Sequence, residues 1–499
     1  MTGEEEKSGM ARVAKNQSSE AAIALPMAKD AAIARLVTLF GSLGRNRDKR
    51  VHYVFDAGEP NYKEIIMPAD AVIHSIALRV PAATWYEREL HDQYGVEIAG
   101  HPDLRPLIFH ENWPDGVHPM VDAVESVPWS NREYRFLQVQ GIGVAEVAVG
   151  PVHAGIIEPG HFRFSVVGDT VLNLELRHFY THKGAEKLFE GRSCSQGTLI
   201  AESISGDNCF AHAVAYSQAV ENACRIDIPK RASAIRLIGL EFERLVSHIS
   251  DVGGLCTDVG FSVAASYATR IKESLLQASS RCCNTRYWRG IAVPGGVQID
   301  LDTGKLLELS REVAEAAREF SDLAKLILTT PSIQNRFETA GILRQDVARD
   351  LAVVGPVARA SGIDLDVRRD HPYAPYDQVQ FDVPVRHYGD VMARAKIRVE
   401  EAAISARVIQ EAVNGLPAGS VLASLDTLGE LQGSSAVESP RGELYYWLEA
   451  RDGRLTRCHV KSPSFQNWPA MPFVVAGNII ADFPLINKSF NLSYSGCDR

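Results

Sequence analysis

The stretch AIRLIGLEFERLVSHISDV (Ala234–Val252) decides how the long C-terminal part of this chain folds. Ile235, Ile238, Phe242, Leu245 and Ile249 recur at three- and four-residue intervals, which puts them on one face of a helix. Arg236, Glu243 and Arg244 fall outside that stripe. Pro229 precedes the pattern and Gly253-Gly254 follow it, so the spacing predicts a helix bounded by them. The helical pattern dominates from Phe179 to about Cys283 and returns at Leu306–Leu328 and Val391–Val413. Such helices bury their apolar stripes against one another, which predicts a bundle. Strand signals flank it. Phe164–Arg177 alternates around Gly168-Asp169, and Glu443–Ala450 and Arg457–Val460 are joined across Asp452-Gly453, both hairpin patterns.

Working towards the N-terminus, the pattern changes. Residues 1–20 are polar and mixed in charge, the composition of a disordered leader. Residues 21–40 are rich in alanine with helical spacing, interrupted by Pro26. His52–Phe55, Lys63–Met67 and Val72–Val80 read as strands, Trp85–Tyr94 as a short helix, and Leu104–Gly116 as a loop. A boundary falls near Glu125–Asn131. The expected fold class is α+β: a small α+β domain over 21–125, then a helical bundle with β elements at both ends over 135–499.

Composition excludes several classes. At 499 residues, 45% hydrophobic and 23% charged, the chain is too long for one compact core. No apolar run reaches the roughly 20 residues that span a bilayer. Ala470–Ile480 is broken by Pro472 and Gly477. The first twenty residues lack the apolar core of a secretory signal. A net charge of −10 argues against a nucleic-acid partner. The eight cysteines include no C-x-x-C pair, so free thiols in a reducing cytoplasm are expected, with Cys282-Cys283 packed in a core.

No G-x-G-x-x-G follows a strand: Gly141-Ile142-Gly143 begins like one, but Glu146 stands where the last glycine belongs. Direct binding of NAD by this chain is therefore unsupported. What remains is a set of dense polar clusters. They are GPVHAGIIEPGHFRF (Gly150–Phe164), HFYTHKGAEKLFEGRS (His178–Ser193), SISGDNCFAHAVAYSQAVE (Ser203–Glu221) and VRRDHPYAPY (Val367–Tyr376). ESPRGELYYWL (Glu438–Leu448), KSPSF (Lys461–Phe465) and the terminal NLSYSGCDR follow. In this order and spacing they resemble the large subunit of membrane-bound nickel–iron hydrogenases of the formate-hydrogenlyase type, and equally the quinone-site subunit of complex I. WYERELHDQYGVEIAGHPDLRPL (Trp85–Leu107) resembles the small α+β subunit that complex I places beside it.

The resemblance implies a hydrogenase-like large-subunit fold in a membrane-associated oxidoreductase. Its partners would be a small subunit that holds the iron–sulfur cluster and a set of membrane subunits. It would lie on the cytoplasmic, inner face of the cell membrane. In the nickel–iron members it also implies four cysteine ligands in two C-x-x-C pairs, since thiolates suit such metals and amides or carboxylates suit them poorly. Aligned on Phe210-Ala211-His212, the first pair falls on Ser205 and Asn208. Aligned on Asp498-Arg499, the second falls on Ser493 and Gly496. Cys209 and Cys497 each lie one residue away, and on a helix that shift turns a side chain by about 100°. The expectation is that this chain holds no metal. The complex I relatives imply a quinone contacted by a tyrosine, here Gly206, and by a loop histidine, for which His153 and His161 both align.

On this basis His161, Glu186, Asp207 and His212 are the candidate proton-handling residues, and His153, Arg163, Gly206 and Arg441 the candidate cavity lining. Asp207 replaces an apolar family residue, so either Arg163 or Arg441 neutralises it or the cavity is wet. Each also has a structural reading. His212 suits a buried, hydrogen-bonded position. Glu186, Glu190 and Arg192 suit a solvated helix face. Arg368, Arg369 and Asp370 suit an ion-pair network. The expected function is to pass electrons from the iron–sulfur partner towards quinone, or to couple them to ion movement. The alternatives are a structural or coupling subunit without a reaction of its own, and a hydrogenase with unusual ligands.

Overall fold

The structure, a computed structural model, describes residues 34–58, 61–69, 72–122, 129–154 and 157–499. The expected leader, residues 21–33 and most of the expected boundary lie outside the described residues. Two compact units divide between Tyr134 and Arg135.

In the first unit β1 (Arg35–Leu43), β2 (Lys49–Asp56) and β3 (Lys63–Pro68) form an antiparallel sheet in that order. The helical reading of 21–40 is therefore wrong at its C-terminal end. Leu36, Val37, Leu39 and Phe40 are all buried, so they serve both faces of a strand rather than one face of a helix. Helix α1 (Ala83–Tyr94) packs against β1. A Cβ at Gly41 would lie 2.7 Å from the Tyr94 ring, which is why β1 carries glycine there. The strand expected over Val72–Val80 shrinks to Ile73–His74. The cause is Glu87 of α1, whose carboxylate accepts from the Ser75 hydroxyl (2.5 Å) and the Ile76 N–H (2.8 Å) and so ends the strand.

The second unit opens with an antiparallel sheet of β6 (Val144–Val149), β7 (His161–Val167) and β8 (Thr170–Arg177); strands β4 (Ile73–His74) and β5 (Ile98–Ala99) precede it in the first unit. Four long helices then close a ring. They are α5 (Lys230–Asp258), α6 (Ser262–Cys283), α7 (Thr303–Thr329) and α8 (Val391–Asn414), each packed on its neighbours and α8 back on α5. Before them come α2 (Ala185–Phe189), α3 (Gly197–Glu202) and α4 (Cys209–Cys224), and α4 lies against the sheet β9 (Glu430–Ser439), β10 (Gly442–Arg451) and β11 (Arg454–Lys461). Mixed helices and strands make this an α+β chain.

One boundary differs from expectation. Helix α5 does not stop at Gly253-Gly254 but runs to Asp258. The glycines serve packing: a Cβ at Gly253 would come within 2.7 Å of the Ala268 Cβ on α6. Gly253→Val should therefore push α5 and α6 apart and cost about 1–3 kcal/mol. Denaturant unfolding checks this, and an unchanged midpoint at unchanged slope would refute it.

The bundle core holds charge as well as hydrocarbon. Arg359 reaches Glu401 (2.8 Å) and Glu438 (2.9 Å), and His248 meets Glu401 at 2.9 Å. Arg368 binds Asp366 (2.6 Å) and Glu241 (3.2 Å). Arg369 instead pairs with Asp364 and Asp370 near the surface, so the Arg368–Asp370 run splits between core and rim. Cys282 and Cys283 are buried within the bundle.

Candidate functional site

The chain leaves α3, turns through Ser203–Asn208 and enters α4, while the C-terminal turn enters α10 (Tyr494–Asp498), after α9 (Phe483–Phe490). These two helix starts meet. The Ser493 hydroxyl caps α10 by accepting from the Gly496 N–H at 2.8 Å. It lies 3.1 Å from the Ser205 hydroxyl, which donates to Asp207 at 3.0 Å. A Cβ at Gly496 would lie 3.4 Å from Ser205 Cβ. Asn208 is buried, and its N–H donates to the Ser205 carbonyl at 3.1 Å. The four positions aligned with metal ligands are thus brought together by the fold. Lys183 ties the corner down, donating to the carbonyls of Ser203 (2.7 Å) and Ile204 (2.9 Å) and to the Ser495 hydroxyl (2.6 Å).

Asp207 faces inward from this corner. Arg441, at the β9–β10 turn, grips it at 2.5 and 3.3 Å and donates from Nε to the Asn491 carbonyl. Arg441 is only 6% exposed, whereas Asp207 is 56% exposed, because its carboxylate opens into a cavity of about 540 Å³. Glu243, Ser247, Ser250, Asp251 and Trp288 line the same cavity. Burial acts to raise the Asp207 carboxyl, but Arg441 and then the Ser205 hydroxyl outweigh it and hold it below the usual carboxylate range.

Glu243 has the opposite fate. It accepts from the Phe210 (2.8 Å) and Ala211 (3.0 Å) N–H groups at the start of α4. Burial nevertheless pushes its carboxyl up to about 8. Two carboxyls on one cavity, one held ionised and one able to keep a proton at neutral pH, are a base and an acid side by side. Because the folded state holds the Glu243 proton more tightly than the unfolded chain, this group favours folding at low pH. That contribution is lost as pH rises from about 4.5 towards about 8. Glu243→Gln should flatten the fall in stability over that window, and denaturant titrations across it measure this directly.

The other candidates are distributed as follows. His212 is buried and its Nδ1 meets the Tyr446 hydroxyl at 2.8 Å. Burial pushes its imidazole down to about 3, so it is neutral at physiological pH. Glu186 is in a separate cluster, bound by Arg457 (2.6 Å), His459 (3.0 Å) and Arg499 (3.3 Å). Burial opposes its charge, but Arg457 and His459 prevail and hold it well below the usual range. Of the two alternatives for neutralising Asp207, Arg441 does so; Arg163 pairs with Glu146 at 3.1 Å and lies over the Phe136 ring. His153 meets the Gly160 carbonyl at 2.8 Å, and His161 the Gly150 carbonyl at 3.2 Å, so both histidines brace their own loop. Gly206 is exposed, and a Cβ there would meet nothing nearer than the Arg289 guanidinium at 3.5 Å.

Glu243 escaped the sequence reading, although a signal was there. Glu243, Ser247, Ser250, Gly254 and Thr257 form a second three/four stripe on α5, polar where the first is apolar. Among the described residues no group of three or more His, Cys, Asp or Glu side chains is placed to hold a metal ion. The donor chemistry of the corner agrees: two mutually bonded hydroxyls, an amide and a carboxylate occupied by arginine do not fit a nickel–iron centre. No helix of the described residues is long and apolar enough to cross a membrane.

Known proteins place this geometry in a family. The model of the respiratory-chain NADH dehydrogenase 49 Kd subunit matches residues 258–430 and 427–499, and that of the 30 Kd subunit matches 11–126. Formate hydrogenlyase subunit 5 of Escherichia coli is 33% identical over 454 residues, covering 89% of this chain and 78% of the relative. Hydrogenase-4 component G of Escherichia coli is 34% identical over 434 residues, 85% of this chain and 75% of the relative. The C/D subunit of the NADH-quinone oxidoreductase of Methylococcus capsulatus is 27% identical over 512 residues, 92% of this chain and 84% of the relative. The chain belongs to the family of oxidoreductase subunits that unites the respiratory-chain NADH dehydrogenase 49 Kd subunit with the formate hydrogenlyase and hydrogenase-4 subunits, and it carries a 30 Kd-type unit on the same polypeptide.

Proposed function

We propose that this chain is the large subunit of a membrane-associated, energy-converting oxidoreductase complex whose Asp207–Arg441 cavity takes a quinone-type acceptor in place of a nickel–iron centre. The observation that carries the proposal is the Asp207–Arg441 pair, set beside the hydroxyls of Ser205 and Ser493 where the resemblance implies thiolates. The names of the relatives, an NADH-quinone oxidoreductase subunit and hydrogenase components, support the same class. Electrons come from an iron–sulfur small subunit, because the eight cysteines of this chain are dispersed, free thiols. Membrane subunits complete the complex at the inner face of the cell membrane, with this chain peripheral.

The residues fit an acceptor with carbonyl oxygens. Asp207 lines the cavity, and Arg441 and the hydroxyls of Ser205 and Ser493 stand beside it as the polar end that such an acceptor would approach. A bound quinone would supply the two-electron, two-proton chemistry. Asp207 stays ionised and orients Arg441, while Glu243 holds a proton within the same space. Glu186 and His212 serve as fixed partners of β11 and of Tyr446. His153 and His161 hold the loop at the entrance in shape.

The purified complex is the test material. Quinone extracted with it, together with reoxidation of its reduced iron–sulfur cluster by an added short-chain quinone, is the expected result. A complex with no bound quinone and no quinone-dependent turnover would overturn the proposal. A second reading, a coupling subunit without its own reaction, rests on glycine at the position of the family tyrosine, Gly206. It would then prevail if Arg441 and Asp207 variants assembled normally and left the activity of the whole complex unchanged.

A further inference from the structure

Helix α5 carries a polar seam of which the site chemistry described so far uses only Glu243. Glu243, Ser247, Ser250, Gly254 and Thr257 follow one another at alternating four- and three-residue steps and line the same cavity. Exposure rises along the seam. Glu243 is buried, Ser247, Ser250 and Gly254 are half-buried, and Thr257 is exposed. The seam spans roughly 21 Å at the helical rise. The Thr257 hydroxyl bonds back to the Gly253 carbonyl at 3.3 Å, but among the described residues the hydroxyls of Ser247 and Ser250 have no protein partner. They open onto the cavity and are free for water. Gly254 leaves room beside Lys488, whose Cδ would lie 3.2 Å from a Cβ there.

We propose that this face of α5 is a water-filled proton inlet, leading from the surface at Thr257 to Glu243 and so to the Asp207–Arg441 end of the cavity. Successive seam side chains lie about 5–6 Å apart, a gap that one water bridges. The charged groups facing the passage are Asp207 at the inner end, paired with Arg441, and Asp251 midway, held by Arg398 at 2.9 Å. Asp258, Lys272, Lys488 and Arg286 stand at the mouth, with Arg286 already paired to Glu273 at 2.6 Å. The transfer balances simply. A protonated water gives its proton to the Glu243 carboxylate; the Glu243 acid passes that proton through water to the Asp207 carboxylate and returns to the carboxylate. One proton enters, one leaves, and no electron moves in this step. The burial that raises Glu243 makes it able to hold the proton meanwhile.

The inlet deepens the proposed redox function, because only a reaction that takes up or releases protons needs it, but its test needs neither quinone nor turnover. Infrared spectra of the full chain should contain a protonated-carboxyl band that titrates away near pH 8 and is missing in Glu243→Gln. Transfer to heavy water should shift that band at once in the wild type. In Ser250→Leu and Ser247→Leu, which plug the seam, exchange should be at least about tenfold slower, because it must then wait for local opening. Equal exchange in folded plugged variants, or no such band in the wild type, overturns the proposal. Should both plugged variants fail to fold, Ser250→Cys decides. A small, charged, water-soluble thiol reagent should label it in the folded chain above the wild-type background, and no added labelling overturns the inlet.

Discussion

Replacing Glu401 with leucine is expected to destabilise the second unit by about 3–5 kcal/mol, the usual loss when one member of a fully buried ion pair is removed. Glu401 is 0% exposed and holds both Arg359 and His248. The substitution leaves the Arg359 guanidinium with Glu438, Asp366 and the Leu365 carbonyl, and His248 Nε2 without its acceptor. The effect depends on pH in a defined direction. Burial works against the Glu401 charge, but Arg359 and then His248 prevail and hold its carboxyl well below the ordinary range. The wild-type advantage is therefore present above the unfolded carboxyl value and is lost as pH falls below it. Denaturant unfolding of wild type and variant at neutral and acidic pH should show the two curves converging at low pH. The exposed Arg344–Asp346 pair is the contrast, and Arg344→Ala should be nearly silent in the same assay.

The second large effect is expected from Arg441→Met in the assembled complex. Without the guanidinium, the Ser205 hydroxyl is left to oppose burial at Asp207, and its carboxyl moves up. Cluster reoxidation by quinone should fall at least about tenfold, a loss of about 1.4 kcal/mol or more in the barrier. The remaining rate should gain a new pH dependence from Asp207. Arg441→Lys keeps the charge but not the two-pronged grip, so it should restore the Asp207 charge and only part of the rate. An Arg441→Met complex with a full rate and an unchanged pH profile would remove Arg441 from the site.

Much of the second unit was legible because its helices are long and strongly periodic. Leu306–Leu328 and Val391–Val413 lie within α7 and α8. The elements that were misread share a cause. Strand β1 is buried on both faces, so it shows no alternation, and its alanine-rich neighbourhood carries a helical spacing. Strand β9 reads ELQGSSAVES, with one β-branched residue, and exists because β10 pairs with it along its whole length from Glu430–Arg451 to Ser439–Gly442. Gly253-Gly254 looked like a helix end and turned out to be a close contact between helices. At the corner, alignment with the resembled family named Ser205, Asp207, Arg441 and Ser493, which the fold brings together. That His161 and Arg163 face their own hairpin depends on the register of β7 with β6, which spacing alone does not reveal. Glu243 was hidden because one carboxylate on an amphipathic helix resembles any solvated residue. Only the fold shows that it caps the start of another helix.

The most direct measurement is the nickel content of the purified complex, determined by elemental analysis against the amount of this chain. A hydrogen-bonded corner of Ser205, Asn208, Ser493 and Gly496 leads to nickel at background level alongside a normally assembled, iron-containing complex. Nickel in stoichiometric amount with this chain would contradict a repurposed, thiolate-free pocket.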